Sequence, residues 1–152
     1  MQPFKLEHFA KDHPSEAFPV VEVVPGDTCR RIRREIATRL GLDPQIDPLA
    51  FTTAVRNESV LLPGVNATSS DFNVNALLGE WNLALSKDVY LNWDRFESLD
   101  RVLFVDVNNA FEYFWYPAAE DLEIIATDMS WILSVAHSGE LYVLRVPESQ
   151  QR

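Results

Sequence analysis

The chain has 152 residues, of which 47% are hydrophobic and 24% charged, and this composition is that of a single globular domain. Thirteen Lys and Arg against 23 Asp and Glu give a formal charge of −10. Because contact with a phosphate backbone depends on Lys and Arg, this charge argues against a nucleic-acid partner. A negative field attracts and orients a basic protein, so we expect a basic protein partner.

Targeting and redox signals favour a cytoplasmic protein. The first five residues, MQPFK, have no basic stretch followed by an apolar run, as a secretion signal would. The longest apolar stretches have only a few residues, against the roughly 20 needed to span a bilayer, so no membrane partner is expected. Cys29 is the single cysteine, which excludes an internal disulfide and a multi-cysteine metal cluster. We expect no cofactor, no metal, and a monomer or weak dimer.

The N-terminal segment is interrupted by prolines. Residues 1–19 contain three of them and predict an irregular arm, with a short helix near Leu6–Lys11. Val20–Val24 is rich in β-branched residues and predicts a short strand.

The clearest helix follows Pro25-Gly26. Asp27 or Thr28 is its predicted N-cap, and Gly41 lies just beyond its end. Its apolar stripe, at spacings of three and four, consists of Cys29, Ile32, Ile36 and Leu40. Five arginines between residues 30 and 39 lie around this stripe, and we expect them to face solvent or the protein's own acids.

Two more helices are predicted before residue 80. Asp47 caps the first, which runs to about Asn57. Residues 63–70 predict a loop. Ser70 or Asp71 then caps a short helix that contains Phe72, Val74, Leu77 and Leu78.

The second half of the chain changes to strand patterns. Strands are predicted at Val89–Trp93, Arg101–Val105 and Leu122–Ala126. Val107–Phe114 fits either a helix or a strand, and a helix capped by Asp106 is favoured.

A terminal hairpin is the strongest strand signal. Trp131–His137 and Glu140–Val146 flank Ser138-Gly139, which predicts a two-residue loop with His137 paired to Glu140. This register puts one set of side chains on a common face: Trp131, Leu133, Val135, His137, Tyr142, Leu144 and Val146. We therefore predict that residues 1–152 form one α+β domain. Its helices lie mainly in the N-terminal half, and an antiparallel or mixed sheet lies in the C-terminal half.

No arrangement of residues indicates a familiar catalytic or metal site. The three histidines, His8, His13 and His137, are scattered along the chain. Cys29 begins an apolar stripe, as a buried structural cysteine does. Glu120, Asp121 and Glu123 lie beside the aromatic run 111–116, where burial would raise a carboxyl pKa. We therefore expect a protein that is not an enzyme. The alternative is an enzyme with an unfamiliar site on Cys29 or on Glu120 and Asp121.

The most distinctive segment is residues 92–139. It contains Trp93-Asp94-Arg95-Phe96, then Phe114-Trp115-Tyr116-Pro117 followed by Glu120-Asp121, and a closing hairpin that starts at Trp131. This layout resembles small acidic bacterial immunity proteins of polymorphic-toxin systems, including the SUKH-type immunity domains. The resemblance covers about a third of the chain and does not extend to residues 1–85. It implies a non-catalytic protein that neutralises a toxin.

The expected function is therefore a protein-binding module that neutralises a basic toxin domain. Its candidate contacts are acids of the second half: Asp94, Glu97, Asp100, Glu112, Glu120 and Asp121. A secretion or assembly chaperone, or an accessory protein of a mobile element, is the alternative among binding proteins. A chaperone of this kind is usually dimeric, so a mass measurement in solution would separate the two.

Overall fold

The computed structural model describes residues 1–150, which form six helices and seven strands. The helices are α1 (Pro3–Asp12), α2 (Gly26–Arg39), α3 (Pro48–Glu58), α4 (Val74–Glu80), α5 (Phe104–Asn109) and α6 (Phe111–Phe114). The strands are β1 (Val21–Val23), β2 (Val60–Asn66), β3 (Asp88–Asn92), β4 (Asp100–Leu103), β5 (Leu122–Ala126), β6 (Trp131–Val135) and β7 (Glu140–Arg145). No helix within these 150 residues is both long and apolar enough to cross a membrane.

The strands form one antiparallel sheet in the order β1-β4-β3-β5-β6-β7-β2. This confirms the predicted α+β class, although β1 and β2 are contributed by the first half. Strands β5 and β6 lie at the centre and every one of their residues is buried. Helices pack on both faces of the sheet, which is why its central strands are apolar on both sides.

Alternate residues of each strand face two separate cores. Ile125, Ile132 and Leu144 pack with Ile36 of α2 and Phe51 of α3 on one face. The second core, on the opposite face, brings α4, α5 and α6 against the sheet through residues such as Leu78, Val107, Phe114, Leu133 and Val143. We call the first of these the α3 face, because the candidate site lies where α3 ends.

The helix starts test the predicted caps. Asp47 caps α3 as expected, and its carboxylate accepts hydrogen bonds from the N–H groups of Leu49 and Ala50. The cap predicted for α2 is wrong, because this helix begins at Gly26 with Pro25 in the cap position. The cap predicted for α4 is also wrong. Asn73 is the observed cap and accepts a hydrogen bond from the N–H of Ala76, so the helix begins at Val74 and Phe72 lies before it.

Two stretches differ from the expected elements. The predicted loop 63–70 begins inside β2, where Pro63 and Gly64 coincide with a break in the pairing to β7. A proline is tolerated there because β2 is an edge strand. The predicted helix over Val107–Phe114 is two short helices, α5 and α6, and Asp106 lies within α5 instead of capping it.

The terminal hairpin is present, but its predicted register is wrong by one residue. Ser134 pairs with Tyr142 and Val135 with Leu141, so the loop has three residues, from His137 to Gly139. Gly139 has a φ of +89° and donates its N–H to Ala136 O at 2.8 Å, as expected for a three-residue loop. The shift turns Tyr142 to the face of Ser134.

Candidate functional site

A row of polar side chains crosses four neighbouring strands on the α3 face. Asn92 of β3 pairs with Glu123 of β5, Glu123 pairs with Ser134 of β6, and Ser134 pairs with Tyr142 of β7. The adjacent row on the same face is apolar, with Ile125, Ile132 and Leu144 under α2 and α3. Polar groups inside a covered sheet are costly unless they have partners, so this row is a candidate functional feature.

Glu123 is the buried acid of this row. Glu123 is only 3% exposed, and its Oε2 accepts a hydrogen bond from Asn92 Nδ2 at 2.7 Å. Asn92 is fixed in turn because its Oδ1 accepts the N–H of Phe96 at 2.9 Å. Burial raises the pKa of Glu123 to about 7, against the opposing effects of the Asn92 hydrogen bond and the Arg56 charge. The carboxyl therefore changes charge near neutral pH.

Ser134 lies opposite Glu123 and is 8% exposed. Its Oγ is buried and has no hydrogen-bond partner within residues 1–150. Leaving a buried hydroxyl unpaired costs roughly 1–3 kcal/mol. A ligand that supplied a hydrogen-bond donor or acceptor here would recover that free energy.

The row opens into a cavity of about 300 Å³ beside the end of α3, which we call the Glu123 pocket. Its lining includes Arg56, Ser59, Glu123, Ser134, His137 and Tyr142. The helix ends here because Ser59 adopts an extended conformation with ψ of 148°. Arg56 and Ser59, at the end of α3, line the cavity together with Glu123, Ser134 and Tyr142 of the polar row. The volume is at the lower end for ligand sites and fits a single side chain or a small molecule.

Asp121 lies at the rim of the pocket, just before β5. It forms an ion pair with Arg56, and its Oδ1 accepts from the backbone N–H of His137 at 2.7 Å and lies 3.0 Å from His137 Nδ1. Burial alone would raise the pKa of Asp121, but the His137 hydrogen bonds and the Arg56 charge outweigh it, and the pKa is lowered. Asp121 is therefore charged and already paired, unlike Glu123.

A second depression of about 410 Å³ adjoins the first, and we call it the Trp93 cleft. Trp93, Asp94, Arg95 and Glu120 line it, together with Arg56, Asp121 and Glu123, which it shares with the Glu123 pocket. Glu120 is held by the Nζ of Lys5, a residue with no exposed surface. The Lys5 Nζ also lies 4.6 Å from the centre of the Trp93 ring and donates to Phe114 O at 2.6 Å.

Comparisons with protein-family models, with curated proteins and with solved structures give no match to this chain.

Three of the six predicted contacts come together. Asp94, Glu120 and Asp121 line the Trp93 cleft. Glu97 and Glu112 are exposed but line neither this cleft nor the Glu123 pocket.

Three of the predicted contacts already form ion pairs within the chain. Asp100 is 4% exposed and binds the α-amino group of Met1 at 2.8 Å, so no partner reaches it. Glu120 is paired with Lys5, and Asp121 with Arg56 and His137. The negative charges of Asp100, Glu120 and Asp121 are therefore balanced by cations of the chain itself.

Other residues considered in the sequence lie apart from the pocket. Cys29 is 1% exposed in the core under α2, with its Sγ 3.5 Å from Val24 O, so an external substrate does not reach it. Within the described residues, no group of three or more His, Cys, Asp or Glu side chains is arranged to bind a metal ion.

The sequence reasoning missed Asn92, Ser134, Tyr142 and Arg56. A signal was present for one part of the site, because Glu123 is the single charged residue in the strand LEIIA. A charged residue within a fully buried strand points to a pocket or a pair. The partners of Glu123 depend on the pairing of β5 with β3 and β6, for which the sequence pattern gave no register.

Proposed function

We propose that this chain is a protein-binding module that neutralises a basic toxin domain, as immunity proteins do, by docking it over the Glu123 pocket and the Trp93 cleft. The observation that supports it is a carboxyl, Glu123, which lines both depressions and forms no ion pair with any of residues 1–150. The neighbouring carboxylates Glu120 and Asp121 already have internal cations. A basic group from a partner would complement the charge of Glu123.

The rim adds exposed negative charge. Asp94 is exposed on the Trp93 cleft, and Glu140 is exposed beside the Glu123 pocket, where its Oε2 accepts from the Tyr142 hydroxyl at 2.9 Å. Rim charges mainly accelerate encounter with a partner of opposite sign, while a buried, unpaired group determines how long the complex lasts. Asp94 and Glu140 should therefore increase the association rate, and Glu123 should decrease the dissociation rate.

The test uses the product of the reading frame adjacent to the one that encodes this chain. If that product is toxic when expressed in bacteria, co-expression of this chain should restore growth, and the two purified proteins should form a complex. The pair Asp94→Lys and Glu140→Lys should slow association and reduce its salt dependence. Asp71→Lys with Glu80→Lys, exposed acids beside α4 on the other face of the sheet, is the matched control. Equal effects of both pairs would contradict this docking surface.

An enzyme that uses Glu123 as a general acid or base is the second candidate. The pKa of Glu123, raised to about 7 by burial, is suited to proton transfer at neutral pH. Stoichiometry separates the two functions. A binding protein protects against the toxin only at molar amounts at least equal to it, whereas an enzyme that inactivates the toxin protects at much lower amounts.

A further inference from the structure

The two acceptors of the Glu123 pocket are spaced by the sheet itself. Glu123 and Ser134 are paired residues on adjacent strands, so their side chains rise from backbones roughly 5 Å apart. One carboxyl oxygen of Glu123 is occupied by Asn92, and the Ser134 Oγ has no partner within residues 1–150. A planar, forked donor fits two acceptors placed side by side better than a single point donor does.

The aromatic ring of Tyr142 completes this arrangement. It stands next to Ser134 in the same row, and its hydroxyl is turned to Glu140, which leaves the ring as a wall of the pocket. A guanidinium group stacks on aromatic faces and is more weakly hydrated than an ammonium group.

The chain contains its own example of a buried ammonium site, and it is built differently. The Nζ of Lys5 has Phe114 O, the Glu120 carboxylate and the faces of Trp93 and Tyr116 around it. Of the polar residues among 1–150 that line the Glu123 pocket, only Glu123 and Ser134 are buried, while Arg56, Ser59, Asp121, His137 and Tyr142 are partly or fully exposed. The pocket therefore lacks the enclosure that an ammonium group requires when it loses its water.

We propose that the Glu123 pocket binds the guanidinium group of an arginine side chain presented by the protein partner, with Glu123 and Ser134 as its acceptors and the Tyr142 ring as its stacking surface. This inference rests on the proposed function for the source of the arginine, but the pocket's preference for guanidinium is a separate property of the chain.

Binding of a guanidinium should be coupled to the ionisation of Glu123. The charged and titratable groups around this carboxyl, from every element that lines the two depressions, are Arg56, Asp94, Arg95, Glu120, Asp121, His137 and Tyr142. His137 is 67% exposed in its side chain and lies against Asp121 at the rim of the pocket, so it needs its own control. Since only the ionised carboxyl attracts the cation, apparent affinity should rise about tenfold from pH 6 to pH 8.

The experiment uses N-acetyl-arginine methylamide as the probe and N-acetyl-lysine methylamide as its control, each titrated into the full chain and followed by NMR. The arginine probe should cause saturable shifts at the amides of Glu123, Ser134 and Tyr142 with a Kd in the range of roughly 1 mM, and the lysine probe should bind at least tenfold more weakly. His137→Gln should keep the rise in affinity with pH. Glu123→Gln, a neutral isostere that preserves the hydrogen bond from Asn92, should lose both the binding and its pH dependence.

Equal binding of the two probes, unchanged binding by Glu123→Gln, or no saturable shift at these amides would each overturn the inference. Because the probe involves no protein partner, this result is independent of the toxin test. If the probe binds but the adjacent gene product is not recognised, the pocket assignment stands and the proposed function fails. If the toxin is neutralised equally well by Glu123→Gln, the function stands and the inference that the partner places an arginine in this pocket fails.

Discussion

Ser134 lies directly opposite Glu123 on the neighbouring strand, yet its buried hydroxyl oxygen makes no hydrogen bond to any of residues 1–150. The serine therefore gives no stabilisation to the glutamate in its charged form. Asn92 donates a hydrogen bond to the carboxyl of Glu123, but burial has the larger effect on its pKa. A proton on Glu123 is the consequence at pH values below about 7.

The first prediction concerns the pH dependence of stability. The pKa of Glu123 is raised from 4.5 to about 7, so the folded state binds this proton more tightly than the unfolded state. Its contribution is fully present below pH 4.5 and is lost as the pH rises through about 7. Glu123→Gln should remove that loss. The free energy of unfolding of Glu123→Gln, relative to that of the unsubstituted protein, should therefore rise by roughly 3 kcal/mol across this pH interval.

Urea unfolding of both proteins between pH 4.5 and 8 measures this difference. Glu148→Gln, at an exposed carboxyl outside the helices and strands, is the control and should track the unsubstituted protein. A constant difference between Glu123→Gln and the unsubstituted protein at all pH values would show that Glu123 is ionised throughout.

Asp121 should show the opposite sign. Its lowered pKa means that its contribution is present above the ordinary value of 3.8 and is lost as the pH falls through the folded-state pKa. Asp121→Ala removes the acceptor for the N–H of His137 and leaves Arg56 unpaired, so it should cost about 1–3 kcal/mol at pH 7. The cost should shrink in unfolding experiments below pH 3.8. Arg56→Ala, which removes a half-exposed partner, should cost less than 1 kcal/mol.

Much of the fold follows from local patterns. The stripe of Cys29, Ile32 and Ile36 lies in α2 and is buried, the Asp47 cap starts α3, and β5 has the predicted bounds Leu122–Ala126. Each of these depends on residues close together in the sequence. Those signals are strong because periodicity and capping act within one element.

The candidate site depends on contacts that local patterns do not encode. Tyr142 belongs to its polar row because β7 pairs with β6 one residue away from the register that Ser138-Gly139 suggests, and a one-residue shift moves every side chain of a strand to the other face. Contacts with residues outside the hairpin accompany the observed register, since the His137 N–H donates to Asp121 and the Ala67 N–H donates to Gly139 O. Neither contact is visible in the hairpin sequence.

The same loop provides a test of the observed register. Gly139 has a φ of +89°, and a Cβ placed on it would lie 2.1 Å from Asn66 Oδ1. Gly139→Ala should therefore destabilise the protein by about 1–3 kcal/mol, through both backbone strain and this clash. Gly79→Ala is the matched control, because nothing lies within 4 Å of its Cβ position and it is within α4. It should stabilise the protein by up to about 1 kcal/mol in urea unfolding. If both glycines tolerated alanine equally, the three-residue loop would be wrong.

The last prediction concerns the anchor of α1. Lys5 has no exposed surface, and its Nζ is paired with Glu120, a carboxylate whose side chain is only 10% exposed. Burial lowers the pKa of Lys5, and the hydrogen bond and charge of Glu120 oppose that effect. Removing one member of a buried pair leaves the other charge without compensation, which typically costs 3–5 kcal/mol.

Lys5→Met should therefore destabilise the protein by about 3 kcal/mol, whereas Lys11→Met, at an exposed position of the same helix, should be close to neutral. The double substitution Lys5→Met with Glu120→Gln should recover part of the loss, because it leaves no unpaired charge. Urea unfolding of the two single variants, the double variant and Glu120→Gln alone gives the coupling free energy between the two side chains. If that coupling were zero, Lys5 would act through packing against Trp93 and Tyr116 instead of through the pair.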